Sequence, residues 1–260
     1  MKCLRERNVK AVLVLVLVAL LPAAAGAQSA DSILARLSAE KPAAPEPGLY
    51  SAGEGRDFVL LPWHGKYLLR FAGAAETFVL TSDPGSLGAK LLKYDTGAAA
   101  LSVSVWGGVT LYAADAPGGL PATRQGDAAT PAPAAITAAD LKSAFDDEGN
   151  HFSYADNLGL RFMVDGALPA DAGGRALLFD VLDTCQAGIE RFLAAGAAAR
   201  QALSHHVAQV KLEKAAKPGL ALNGRTLLVR YVPADGFLGR LSSHAVAHQL
   251  GKLLAVKTAE

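Results

Sequence analysis

Cysteine is almost absent from this chain: its 260 residues contain two, Cys3 and Cys185. Cys3 lies in a basic segment that reads as removable, so the processed chain keeps one thiol and has nothing to pair it with internally. The fold must then be held by its apolar core. An excess of charge of either sign is also missing, with 25 basic residues against 24 acidic ones. Without a basic stripe there is no electrostatic footprint for nucleic acid, and without a charge run there is no polybasic patch for a membrane surface. Any partner is expected to be recognised locally.

The start of the chain is strongly patterned. Lys2, Arg5, Arg7 and Lys10 precede or enter an apolar run from Val9 to Leu21, and Pro22 and Ala23-Ala24-Ala25-Gly26-Ala27 follow. A basic region, an apolar core of about a dozen residues and a small-x-small site are the parts of a cleavable export signal. The core is shorter than the roughly 20 residues that span a bilayer, which favours cleavage over a retained anchor. Cleavage after Ala27 is therefore expected, followed by a periplasmic or secreted life with no stable membrane span. Cys3 precedes the apolar core and is not placed to become a lipid-modified first residue. Loss of residues 1–27 removes four basic residues and Glu6, taking the totals to 21 and 23 and the net charge to −2.

The remainder, about half apolar overall, suits a globular chain of one large or two modest domains. Asp31 to Lys41 predicts a short helix, stopped by Pro42, Pro45 and Pro47, so residues 28–47 form a helix and tether. Residues 48–127 show short β-type runs about ten residues apart, at Asp57-Leu61, Lys66-Phe71, Thr77-Thr81, Lys90-Tyr94, Leu101-Trp106 and Val109-Tyr112. This spacing predicts an antiparallel barrel or sandwich. Gly107-Gly108 predicts a two-residue hairpin turn, which would set Trp106, Val109 and Leu111 on one face and Leu101, Val103 and Tyr112 on the other. Both faces, and Trp106 with them, are expected to be buried, one against the β core and one under a helix; an exposed Trp106 platform for a ligand is the competing reading.

Ala113 to Ala135 has no period and is rich in Ala, Pro and Gly, with residues 128–135 as the linker proper. Residues 136–257 predict a helix-dominated domain with a small sheet, making the chain α+β. Thr137 and Asp140 match a helix-capping box, with Gly149 as the stop. Ala176 to Ala195 is the clearest helix: Leu178, Leu182, Cys185 and Ile189 share its stripe, and Asp180, Asp183 and Glu190 lie off it. Helical character continues to Lys214 in one helix or two. Leu160-Val164 and Arg225-Val232 read as strands, and Ser243 is the expected cap of a final helix.

No familiar catalytic or cofactor-binding pattern is complete. His244 and His248 have the four-residue spacing of a zinc pair, but Ala245 stands where a zinc peptidase carries Glu, and no third ligand is evident. Gly85-Ser86-Leu87-Gly88 lacks the frame of a nucleophile elbow, and Ser38-Ala39-Glu40-Lys41 lacks the downstream motifs of penicillin-binding enzymes. Gly53-Glu54-Gly55 does not continue as a dinucleotide loop. A calcium loop from Asp146 would need Gly where His151 stands. Cys185, on an apolar stripe, is expected to be buried and inert. No catalytic residue, cofactor or metal is therefore assigned, and Trp106, Tyr112, His244 and His248 remain as a candidate ligand surface.

The segments Lys93-Tyr94-Asp95-Thr96-Gly97, Val105 to Tyr112 and Pro117 to Ala122 resemble a family of uncharacterised exported bacterial proteins known only as a domain of unknown function. The resemblance is strongest over Phe58 to Gly126. It implies export and a paired architecture, and it carries no site residue with it. Three functions follow as expectations. The first is a non-enzymatic envelope protein that binds or scaffolds an envelope protein or a small ligand. The second is a hydrolase of envelope material using His244, His248, Arg240 and Asp235 in an interdomain cleft. The third is a carrier of an apolar molecule beside Trp106.

Overall fold

Between residues 57 and 113 apolar side chains recur two apart, as Phe58 and Leu60 or Leu101 and Val103 do, which turns one face of the strands toward a core. In the computed structural model, which describes residues 44–53 and 55–256, that pattern closes on itself. Eight strands run in sequence: β1 (Gly48–Ser51), β2 (Asp57–Trp63), β3 (Lys66–Phe71), β4 (Phe78–Pro84), β5 (Lys90–Lys93), β6 (Ala99–Val103), β7 (Val109–Ala113) and β8 (Ala116–Gly126). Each pairs antiparallel with the next, and β8 returns to β1, so the result is a closed barrel rather than a sandwich. Closure leaves no free sheet edge. The inside is filled by side chains, among them Tyr50, Phe58, Leu60, Phe78, Leu80, Leu92 and Leu111. Each fully buried side chain of this size contributes about 1.5–3 kcal/mol.

The β6–β7 hairpin differs from expectation. Leu101 pairs with Leu111 and Val103 with Val109, and the connection runs from Ser104 to Gly108. A two-residue turn would shift one strand past the other by an odd number of places, and an odd slip turns a strand inside out. The observed register puts Leu101, Val103, Val109 and Leu111 together inside. Ser104 supports the longer turn: its N–H donates to Gly108 O at 2.8 Å and its Oγ accepts from Gly108 N at 3.0 Å. Trp106, expected in a core, is instead 89% exposed at the tip.

Two strands of the barrel have no sequence signal. β8 lies in the stretch read as connection, because Pro117, Gly118, Gly119 and Pro121 mask its alternation. Gly119 is required there: at φ +84°, its Cβ would sit 2.5 Å from Thr110 Cγ2. β1 is short and follows three prolines.

The second half starts with α1 (Ala138–Asp156), capped as expected by Thr137, whose Oγ1 accepts from Asp140 N. Gly149 does not stop it. The helix passes through Gly149, where a Cβ would come within 3.0 Å of Leu160 O, and ends at Asn157 in the left-handed region. After β9 (Arg161–Val164) come α2 (Ala172–Leu193), capped by Asp171, and α3 (Ala197–His206). The remaining elements are β10 (Gln209–Lys214), β11 (Gly219–Asn223), β12 (Thr226–Tyr231), a 3-10 segment at Pro233–Gly239 and α4 (Ser243–Leu253).

The predicted helix from 197 to 214 is thus half strand. Leu203, Val207 and Val210 fit a helical step, yet Val207 is already extended, and Val210 and Leu212 alternate into the sheet. That sheet has the order β11-β12-β10-β9, with β9, β10 and β12 parallel and β11 antiparallel at the edge. Phe162, Val210, Leu212, Leu227 and Val229 face a core shared with α1, α2 and α4. Gly188 of α2 lets α4 approach closely, since a Cβ there would lie 2.4 Å from Val246.

Cys185 is buried in this core, and desolvation pushes its thiol up to about 12. No helix among the described residues is long and apolar enough to cross a membrane. The segment expected to be an export signal and the helix expected at 31–41 lie outside the described residues.

Candidate functional site

Helix α4 begins with two serines, and both are occupied by carboxylates from the barrel. The cap is Ser242, one residue before the expected Ser243: its Oγ accepts from Ala245 N at 3.1 Å. The same hydroxyl donates to Asp95 Oδ1 at 2.5 Å, and Ser242 N donates to Asp95 Oδ2 at 2.8 Å. Ser243 repeats the arrangement with Glu76, its N–H donating at 2.8 Å and its Oγ at 2.5 Å. Ser243 Oγ also accepts from Arg191 Nε at 2.8 Å. Glu76 comes from the β3–β4 turn and Asp95 from the β5–β6 turn, which lie at one end of the barrel. Two side-chain carboxyl groups thus accept from helix-start N–H groups that have no partner within the helix, at the end where the helix dipole favours negative charge.

Beside them Arg240 is 6% exposed and Asp180, on α2, 9%. The guanidinium holds the Asp180 carboxylate through Nε and Nη2 and donates from Nη2 to Thr77 O at 2.9 Å. Its face lies 5.7 Å from the Phe237 ring centre. Phe237 in turn meets Trp63 on the barrel wall, 6.0 Å between centres. Asp180 therefore belongs to the interior, contrary to its reading as a residue off the buried stripe; the stripe widens where α2 faces both the sheet and the barrel. Among the described residues no buried side-chain polar atom lacks a partner.

These contacts shift the groups they hold. Burial pushes the Glu76 carboxyl up, opposed by the two bonds from Ser243 and by Arg240 and Arg191. His244 stacks on Tyr94 at 4.4 Å and lies 5.5 Å from Phe78. Desolvation, reinforced by Arg191, lowers it to about 4, so the ring is neutral at physiological pH. Burial raises Tyr94 to about 12.

The four candidate ligand residues do not form one surface. Trp106 is at the β6–β7 turn, at the far end of the barrel from the β5–β6 turn beside which His244 lies. Tyr112 is half-buried on the wall, its hydroxyl 3.4 Å from Ser102 Oγ. His248 is one turn further along α4, half-buried. Of the residues that could serve a hydrolytic cleft, Arg240 is bound to Asp180, while Asp235 is exposed on the 3-10 segment.

A cavity of about 130 Å³ lies at this junction, lined by Arg70, Thr77, Phe179, Asp180, Asp183 and Phe237 with the 132–134 linker. It is smaller than the roughly 300–1,000 Å³ usual for a small-molecule site. A groove of about 410 Å³ runs on the barrel beside Leu49, Val59, Arg70 and the 71–75 turn. Among the described residues no three His, Cys, Asp or Glu side chains are grouped to hold a metal.

Sequence reasoning missed Glu76, Asp95, Asp180 and Arg191. The paired Ser242-Ser243 at a helix start was the one available signal, since two serines present adjacent N–H and O–H donors.

No curated protein and no solved structure matches the chain. A family profile does match, over residues 29–250, which covers most of the barrel-and-helix body described above. The chain belongs to the family defined by the domain of unknown function DUF4908.

Proposed function

We propose that this chain is a non-enzymatic exported protein of the cell envelope, periplasmic or secreted after cleavage following Ala27, that binds or scaffolds a partner on its outer surface. The observation that carries the reading is the use made of the polar groups at the joint, all of them buried except Asp95. Glu76, Asp95, Asp180, Arg240, Ser242 and Ser243 are each taken up in joining the barrel to the helical part. An acid or base committed to such bonds is poorly placed to move a proton to or from a substrate. The barrel interior is filled by its own side chains, which favours recognition outside the barrel over carriage within it.

Two measurements test the proposal. Intact mass of the protein recovered from periplasm or medium should correspond to a chain starting at Gln28; a mass retaining residues 1–27 overturns the processing. Purified protein should leave ester, amide, glycoside and phosphate reporter substrates unchanged. Turnover that disappears in His244→Phe, a change that keeps a ring stacked on Tyr94, overturns the non-enzymatic reading.

A further inference from the structure

The barrel end opposite the joint is built differently. The β4–β5 turn carries Leu87, 97% exposed, and the β6–β7 turn carries Trp106, 89% exposed. The two turns touch: a Cβ on Gly88 would lie 3.0 Å from Val105 Cγ1. The two largest apolar side chains of these loops therefore project from adjoining tips, with almost no protein around either.

Their exposure is not a by-product of folding. Leu87 sits at φ 54°, ψ 34°, a left-handed conformation that a branched, bulky side chain occupies at a cost. Glycine would remove that strain, and glycine residues stand on either side at Gly85 and Gly88. A strained backbone that holds a leucine in water gains nothing from the barrel core, and such strain marks positions where presentation of a side chain matters.

We propose that this Leu87/Trp106 tip is a membrane-contact site, inserting into the interfacial layer of a lipid bilayer with anionic headgroups. The shape favours a bilayer over a folded protein partner. A stable protein interface takes about 800 Å² per partner over some 20 residues, whereas this tip is convex and narrow. A bilayer is soft and accepts a small apolar projection. Tryptophan is the residue suited to the headgroup boundary, because its ring is apolar and its N–H finds a polar partner.

Charge supplies the headgroup preference. Between Thr81 and Lys93 and between Ala99 and Ala113 the charged residues are Asp83, Lys90 and Lys93. Asp83 is bound to Lys93 at 2.8 Å, and Lys90 enters no ion pair among the described residues. Lys90 is paired in register with Pro84 and Val103 at the base of both turns, within reach of a headgroup phosphate when the tip is inserted. One cation cannot anchor the protein alone, so the contact is apolar first and electrostatic second.

The inference adds a contact to the binding role proposed above but rests on the loops alone; its failure would leave the location and the non-enzymatic reading untouched. The test uses the full chain with vesicles of phosphatidylglycerol and phosphatidylethanolamine, and with phosphatidylcholine vesicles for comparison. The protein should co-sediment with the anionic vesicles. Leu87→Ser/Trp106→Ser, with the same N-terminus, should bind about tenfold more weakly or less, and Lys90→Glu should lower binding to anionic vesicles alone. Trp106 fluorescence, isolated as the difference from Trp106→Phe, should shift to the blue and become protected from acrylamide on vesicle addition.

Trp106 that stays open to the quencher while the protein is vesicle-bound overturns the proposal, as does equal binding by the double variant. So does a concentration-dependent dimer abolished by Trp106→Ser in the absence of lipid, which would assign the tip to a second copy of the chain.

Discussion

The two ends of the barrel are made from the same kind of element, tight turns between antiparallel strands, and they are used in opposite ways. At one end the turns between β3 and β4 and between β5 and β6 place Glu76 and Asp95 against the start of α4, and Arg240 joins Asp180 to the backbone of Thr77. Glu76, which looks like an ordinary turn residue, is buried there, while Asp95 stays exposed and still holds Ser242. At the other end the β4–β5 and β6–β7 turns leave Leu87 and Trp106 in water. Polar groups inside at one end and apolar groups outside at the other reverse the usual partition. The reversal separates a joint, where among the described residues no buried side-chain polar atom lacks a partner, from a surface whose partner is outside the chain.

The sharpest way to break this comparison is to open the joint. Arg240→Ala removes the guanidinium and strands Asp180 in a site from which water is largely excluded. Truncating one member of a buried pair costs about 3–5 kcal/mol, so Arg240→Ala should lower the urea midpoint by more than His244→Phe, Cys185→Ser or Trp106→Ser. The barrel should then unfold apart from the helical part, visible as two transitions. Replacing both partners, as Arg240→Met/Asp180→Leu, should recover much of the loss, because no charge is left unpaired. A single unchanged transition in Arg240→Ala would show that the joint does not hold the two parts together.

A pH effect at His244 comes next in expected size. Its folded pKa, about 4, lies below its ordinary value of 6.5, so the native state favours the neutral ring. That preference contributes stability fully above pH 6.5, and the contribution is lost as pH falls from 6.5 toward 4. The full shift corresponds to about 3–4 kcal/mol at most, of which about 2 kcal/mol falls between pH 7 and pH 5. The ring is faced by Tyr94 and Phe78, with Arg191 and Asp95 nearby. Glu76 also titrates at this joint, and its raised pKa acts with the opposite sign, adding stability as pH falls. The measurement is therefore a difference: urea midpoints at pH 7 and pH 5 for the natural chain and for His244→Phe. The natural chain should lose more stability over this interval than the variant; equal losses would show that His244 is not held neutral by the joint.

A smaller effect is expected away from both ends. Cys185 lies in the helical core, and Cys185→Ser places a hydroxyl there without a designed partner, a cost of about 1–3 kcal/mol. Its thiol, held up to about 12 by desolvation, should resist thiol reagents in the native state and react at the ordinary rate in denaturant. Rapid native labelling would contradict the packing around α2.

The barrel is legible in the sequence because short β-type runs recur about ten residues apart between turn residues, with core residues two apart, as in Phe58 and Leu60 or Leu101 and Val103. The helix from 172 to 193 is legible because Leu178, Leu182, Cys185 and Ile189 keep a helical step. What stays hidden has a local reason in each case. Pro and Gly conceal β8, and the spacing of Leu203, Val207 and Val210 suits a helix as well as a helix followed by a strand. The glycine pair at 107–108 suggests a shorter hairpin than Ser104 enforces. The joint is illegible for a different reason: Glu76 and Asp95 are separated from Ser243 and Ser242 by 167 and 147 positions, and a carboxylate in a turn looks solvated until its distant donor is known. The exposed tip is half legible, since Trp106 stands out as an aromatic beside a turn, but only register shows that it does not belong to the core.

The smallest stability effects belong to the tip, and their smallness is the point of the comparison. Trp106→Ser removes a large side chain that buries almost no surface, so its stability change should stay within about 0.5 kcal/mol. Leu87→Gly relieves a left-handed backbone but gives the unfolded chain more freedom, two terms of about 1 kcal/mol that oppose each other. The net change should be close to zero or slightly favourable. Thermal unfolding of both variants beside Arg240→Ala would read the contrast directly. A loss at Trp106 comparable with that at Cys185 would mean that the ring packs against the chain, and the tip would then belong to the folded body rather than to a partner outside it.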